Sequence, residues 1–270
     1  MLNGFRNFRP TLLIIIIPIL FSCVSAQQKE ARAKIKIWGE VGSTYKRGQD
    51  YYYNRQYDQA ISDFTKVLES DPGNLPFYVS YASAYHMRGN AYTGKGQYDQ
   101  AISDHTKALE ISPRYFWAYC GRAKAYYNKG RYDQAISDYT NALQIELYAA
   151  DFAIAYSGRG AAYYGKGQYD QAISDFTKVL EIVPRDAESY HDRGKAYYNR
   201  GRYDQAISDY TKALEISPSF AMVYINRGIA YYYKREYNKS WEDVRKAQSL
   251  GYKINPKFLD DLRKASGRQN

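Results

Sequence analysis

The residues of this chain best suited to chemistry are three histidines, two cysteines and a few cations set between glycines. Histidine would supply a general base or a metal ligand, cysteine a nucleophile, and a glycine-flanked cation a cradle for phosphate. None of them sits in a constellation that could do so. His86, His105 and His191 occupy positions of a repeated segment where other copies carry Cys, Ser, Tyr or Phe, and His105 stands in place of an aromatic packing residue. Gly94-Lys95-Gly96 and Gly158-Arg159-Gly160 lack the rest of a phosphate loop and are accounted for by a turn and a helix-packing position. There is no HExxH, no GxSxG and no paired-cysteine metal spacing. The expectation is a protein without catalytic residues, metal ligands or cofactors.

What the sequence does instead is repeat itself. YDQAISDYTKALEISP, residues 203 to 218, has near-copies starting at Tyr57, Tyr98, Tyr132 and Tyr169 and a divergent one at Tyr237, separated by 41, 34, 37, 34 and 34 residues. An enzyme needs different residues converging on one point, whereas copies of one segment build a stacked surface. Ahead of each copy lies a second shared block, such as YHDRGKAYYNRGR at 190 to 202. Both blocks read as helices. Ala206, Ile207, Tyr210, Ala213 and Leu214 recur at helical spacing, Asp204 lies in the first turn where the helix dipole favours it, and Pro218 follows the end. Tyr190, Gly194 and Tyr197 make a narrower stripe, and Gly201 supplies the turn between the helices. Arg47, Arg88, Arg122, Arg159, Arg193 and Arg227 each stand sixteen residues before Asp63, Asp104, Asp138, Asp175, Asp209 and Asp243, a spacing that predicts one ion pair between the helices of every hairpin. With 32 Tyr against 10 Phe and 3 Trp, the aromatics are mostly of the kind that packs on one side and hydrogen-bonds on the other.

A helical hairpin every 34 residues, with a small residue in the first helix, alanine in the second and proline at the close, resembles the tetratricopeptide repeat. The small residue falls on Gly48, Gly89, Ala123, Gly160, Gly194 and Gly228, and the aromatic on Tyr51, Tyr92, Tyr126, Tyr163, Tyr197 and Tyr231. The packing alanine falls on Ala60, Ala101, Ala135, Ala172 and Ala206, with Ser240 in the last copy, and the proline on Pro72, Pro113, Pro184 and Pro218. The resemblance implies an all-α, right-handed solenoid of six hairpins over residues 41–254, divided as 41–74, 82–115, 116–149, 153–186, 187–220 and 221–254. Residues 255–270 follow as a capping helix, PKFLDDLRKA, and tail. Two insertions, LPFYVSY at 75 to 81 and Ala150 to Phe152, are expected to lengthen the first helix of the next hairpin. Phe77, Tyr78 and Tyr81 in the earlier one offer a second contact surface.

The N-terminus reads as a separate device. Arg6 and Arg9 precede the apolar run Leu12 to Phe21, which is followed by small residues, the order of a bacterial export signal, and the run is too short to span a membrane. Two cuts are open. Leu20-Phe21-Ser22-Cys23 resembles the lipobox of bacterial lipoproteins, giving a signal at 1–22 and a lipid on Cys23; Val24-Ser25-Ala26 suits ordinary signal peptidase, giving 1–26. Residues 27–40 would then be a tether. Loss of residues 1–22 removes two Arg and no acid, so the exported chain carries +10 − 2 = +8. A basic protein outside the cytoplasm seldom meets nucleic acid, and the cations are spread through the copies, which speaks for a solvated surface, with attraction to anionic lipid or polyanionic envelope polymers as the alternative. Cys23 lies in the signal, which leaves Cys120 without a disulfide partner.

In tetratricopeptide arrays the first helices line a groove that holds a peptide or a partner's helix. Carried over residue by residue, that stripe here contains Asn90, Lys124, Tyr127, Asn128, Tyr164, Lys195, Tyr198, Asn199 and Tyr232. The Lys and Asn arrangement of the carboxylate clamp is not matched, since its leading lysine column holds Tyr45, His86, Cys120, Ser157, His191 and Ile225. The function implied is a scaffold of the cell envelope, periplasmic or an outer-membrane lipoprotein, binding a protein or an acidic or polar peptide, with no membrane contact beyond the lipid. The alternatives are an assembly lipoprotein acting through its edges and a groove for glycan. The oligomeric state stays open.

Overall fold

The computed structural model describes residues 10–70, 80–145 and 148–267, with side chains from residue 27 onward. All regular structure among them is helical. The chain divides into two compact units, residues 1–97 and 98–270.

Unit 1 holds α1 (Pro10–Tyr53), α2 (Tyr57–Glu69) and α3 (Tyr81–Gly94). Residues 27–40 form an exposed stretch of α1, and from Val41 onward the same helix packs on α2. The core joins Tyr45 of α1 to Ala60, Phe64 and Val67 of α2 and to Ala84, Met87 and Ala91 of α3. α3 starts at Tyr81 because Ser80 caps it, exchanging hydrogen bonds with Ser83. The earlier insertion therefore does not lengthen this helix in the way expected; Phe77 and Tyr78 lie outside the described residues, and the Tyr81 hydroxyl donates to the Ser70 carbonyl.

Unit 2 opens with α4 (Tyr98–Ile111) and continues through the hairpins α5 (Phe116–Asn128) with α6 (Tyr132–Ala142), and α7 (Ala149–Gly165) with α8 (Tyr169–Ile182). α9 (Ala187–Asn199) with α10 (Tyr203–Ile216) and α11 (Ala221–Tyr233) with α12 (Tyr237–Ser249) follow, closed by α13 (Pro256–Ser266). The later insertion does lengthen its helix: α7 has 17 residues where α5 has 13. Every helix packs on the next, and the first helices α5, α7, α9 and α11 also touch in succession, which the second helices do not do to the same degree. The first-helix layer is thus the tighter, inner layer of unit 2. α13 covers the end of the stack by burying Leu262 against Ile225, Val244 and Ala247.

The repeated small residues exist so that helices can close on aromatic rings. A Cβ on Gly194 would lie 2.6 Å from the Tyr210 ring, one on Gly48 2.9 Å from Phe64 and one on Gly160 3.0 Å from Phe176. His105 is fully buried in that aromatic column, with its ring where a side chain on Gly121 would have to go, so it packs as expected. The second-helix alanines are completely buried, and Ser240, which replaces one, donates its hydroxyl to the Gly228 carbonyl at 2.7 Å.

Each Arg–Asp pair whose two members lie in one unit closes as a fork. Arg122 donates through Nε and Nη2 to both oxygens of Asp138 at 2.8 Å, and Arg47, Arg159, Arg193 and Arg227 make the same two bonds to Asp63, Asp175, Asp209 and Asp243. The remaining nitrogen reaches back one hairpin: Arg122 to Thr106 at 3.0 Å, Arg159 to Thr140 at 3.1 Å, Arg193 to Thr177 at 3.0 Å and Arg227 to Thr211 at 3.0 Å. Tyrosine rings complete the seat, as where Tyr190 and Tyr197 lie 5.6 and 5.9 Å from the Arg193 guanidinium. One side chain therefore ties its own two helices together and the hairpin to its predecessor.

Candidate functional site

Four of the groove residues expected from sequence meet in unit 2. Tyr164 of α7 with Lys195, Tyr198 and Asn199 of α9 form one side of a pocket of about 360 Å³, and Met222, Asn226 and Ile229 of α11 form the other. Residues 222, 226 and 229 are one helical face, as are 195, 198 and 199, so two first helices held in register suffice to face them across the gap. The buried ring of Tyr210, from α10, is the floor.

The rim is a closed set of polar contacts. Asn199 Nδ2 donates to the Tyr164 hydroxyl at 2.8 Å and to the Lys195 carbonyl at 2.9 Å. Lys195 Nζ lies 3.0 Å from Asp192 Oδ1 and 4.9 Å from the centre of the Tyr164 ring, so its charge is met before any ligand arrives. Below them the Asn226 amide is 2.8 Å from His191 Nε2, while His191 Nδ1 lies 3.7 Å from Asp192 and the imidazole packs on Tyr210 and Phe220. Burial lowers the His191 pKa, which keeps the ring neutral and able to accept from Asn226. Burial likewise raises the pKa of Tyr210, and burial together with a bond to Tyr233 raises that of Tyr198, so both remain phenols. Such a pocket offers an apolar floor, aromatic walls and amide hydrogen bonds. It presents no activated nucleophile, and no cluster of potential metal ligands occurs among the described residues.

The other expected residues stand elsewhere. Lys124 and Asn128 are exposed on α5, and Tyr127 leans on Tyr132 with ring centres 5.7 Å apart. Asn90 is in unit 1, 3.0 Å from His86 Nε2. Tyr232 packs against Phe258 of α13 at 5.7 Å, so the cap occupies it. The groove tyrosine recurs because it tilts on the first tyrosine of its own second helix: Tyr164 on Tyr169 at 5.5 Å, Tyr198 on Tyr203 at 5.6 Å, Tyr232 on Tyr237 at 5.9 Å. Tyr210, Met222, Asn226 and Ile229 were not expected. Ile229 could have been found as an apolar departure in a column that holds Lys195 one copy earlier, and Met222 as a member of an apolar column with Trp117 and Ile154. Cys23 has no described side chain, and no helix of the described residues is long and apolar enough to cross a membrane.

Comparison with known proteins accords with this geometry. Family models described as TPR repeat match residues 89–130, 160–200 and 194–234, and models described as tetratricopeptide repeat match 116–146 and 43–74, together more than half of the chain. No curated protein matches the sequence. Among solved structures, the chain is similar to MamA at 25% identity and a TM-score of 0.56, over 60% of this chain and 94% of that one. It is similar to YrrB, a TPR protein with an unusual peptide-binding site, at 25% identity and a TM-score of 0.53, over 69% and 91%. The C-terminal part of a TPR repeat-containing protein from Cytophaga hutchinsonii shares the fold at 22% identity and a TM-score of 0.61, over 82% and 84%.

Proposed function

Because the chain belongs to the tetratricopeptide-repeat family, we propose that it is a non-enzymatic scaffold of the bacterial cell envelope that holds a segment of a partner protein on its first-helix layer. One observation carries the reading: Tyr164, Lys195, Tyr198 and Asn199, chosen as groove residues from sequence, line one pocket between α7, α9 and α11. The peptide-binding site of YrrB supports a peptide as the ligand class. Of the lysines that pointed to an acidic partner, Lys195 already faces Asp192, which leaves Lys124 as the exposed one. Replacing Tyr164 by Phe and Asn199 by Ala removes the phenol–amide contact of the rim while keeping the ring that packs on Tyr169. Calorimetric affinity for the partner segment is expected to fall at least tenfold with the circular dichroism spectrum unchanged, and an unaltered affinity refutes the reading.

Export is the second part of the proposal, and the signal-like order of residues 6–26 supports it. Mass spectrometry of the mature N-terminus tests it. A lipid-modified Cys23 gives a membrane-held protein, since each buried methylene contributes about 0.8 kcal/mol. An unmodified Gln27 gives a free exported one, and a retained Met1 overturns export.

A further inference from the structure

On the reading of the first-helix layer as the binding face, we propose that unit 2 selects an extended peptide in which apolar side chains are interrupted by one lysine or arginine, set against Glu188. Trp117, Ile154, Glu188 and Met222 each stand six residues before the small residue of their first helix, so they share one register position in four successive hairpins. The three apolar members are 42%, 46% and 45% exposed. Single exposed apolar residues are ordinary, but three in one column of adjoining helices form a row, which marks a contact surface. The row is built to stay in place: Trp117 sits edge-on to buried Phe116 at 5.1 Å, and Met222 opens into the pocket beside Ile229.

The charge at the row is negative and paired with no cation among the described residues. Glu188 is exposed and makes no ion pair among the described residues, whereas Asp192, one turn on, is taken up by Lys195. Packed helices lie about 8–10 Å apart, and an extended chain of the polyproline II type advances about 3.1 Å per residue and returns to the same face every third residue. The ligand therefore passes about three residues per hairpin, presenting apolar, apolar, basic and apolar side chains in turn, with the last seated in the pocket. An exposed ion pair adds little affinity, so Glu188 acts mainly by rejecting acidic sequences.

The test is selection of a random dodecapeptide phage library on the immobilised full chain, on Glu188→Lys, and on a Trp117→Asp, Met222→Asp double variant, each checked for helicity by circular dichroism. The wild-type pool is expected to carry Lys or Arg about three residues from an apolar side chain. The Glu188→Lys pool is expected to carry Asp or Glu there, and a synthetic wild-type-pool peptide to bind Glu188→Lys at least tenfold more weakly, with Glu188→Gln intermediate. Pools that do not differ between wild type and Glu188→Lys, while the double variant selects nothing, overturn the charge assignment and leave the binding face standing. A double variant that selects the wild-type pool, or a wild type that enriches nothing above the double variant, removes the binding face as well. Self-association of the free chain that Met222→Asp abolishes makes a second copy the occupant and overturns the proposal.

Discussion

At the scale of the residue, the feature that decides most is the arginine fork. Asp138 is 4% exposed and takes both of its hydrogen bonds from Arg122. Desolvation offsets much of the attraction within such a pair, but removing one member leaves the other without its counter-charge. Asp138→Ala is therefore expected to lose roughly 3–5 kcal/mol in thermal or urea unfolding, and replacing Arg122 by Met in the same chain to restore part of it. An unchanged melting temperature would sink this account. The pairing was legible because the sixteen-residue spacing is the same in every copy. The threonine at the other end of the arginine was not: its distance along the chain is 16 residues for Arg122 but 19 for Arg159, since an insertion lies between the partners. A contact between copies loses its signature when the copies are unevenly spaced.

At the scale of the element, the turns between first and second helices separate inner copies from outer ones. Gly201 has φ +72°, and Gly96, Gly130 and Gly167 share that left-handed conformation, but Arg55 and Arg235 adopt it with φ of 60° and 64°. An L-residue there costs about 1–2 kcal/mol, partly offset by glycine's greater freedom in the unfolded chain. Arg235→Gly is expected to stabilise the fold by about 0.5–1 kcal/mol in urea unfolding and Gly201→Ala to destabilise it by about 1–2 kcal/mol. The opposite order would show that the turn is not what sets the residue. The alternation of first and second helices was legible from the period, although α1 runs through the stretch expected to be a tether. The start of α3 was not, because a serine cap at Ser80 outweighed the added length that the insertion offered.

At the scale of the whole molecule, acid acts on both units through buried histidines. Burial brings His86 in unit 1 from 6.5 down to about 4 and lowers His191 in unit 2. Between those values the unfolded chain binds a proton that the folded chain refuses, so stability is full above about pH 6.5 and falls as the pH drops towards 4. His86 alone accounts for a loss on the order of 3 kcal/mol over that range. Urea denaturation at pH 7, 6 and 5 checks it: His86→Tyr is expected to flatten the decline, and an equal slope in the variant refutes the assignment. The repeated architecture was legible in the sequence because copies announce themselves. The pocket was half legible, since the carried-over stripe held Tyr164, Lys195, Tyr198 and Asn199 and Lys195 stood out against its column, while the floor came from Tyr210, which sequence presents as one more buried aromatic. The joint from arginine to the preceding threonine carries a last consequence. Within unit 2 it asks nothing of a copy except that it bring one donor and one acceptor, and every copy from α5 to α10 brings both. Any such copy can follow any other, so a gene that gains or loses a whole one by unequal recombination still encodes joints that close. The near-identity of the peptide segments thus keeps the arginine joint satisfied whichever of these copies adjoin, and the length of the stack can change without leaving that joint open.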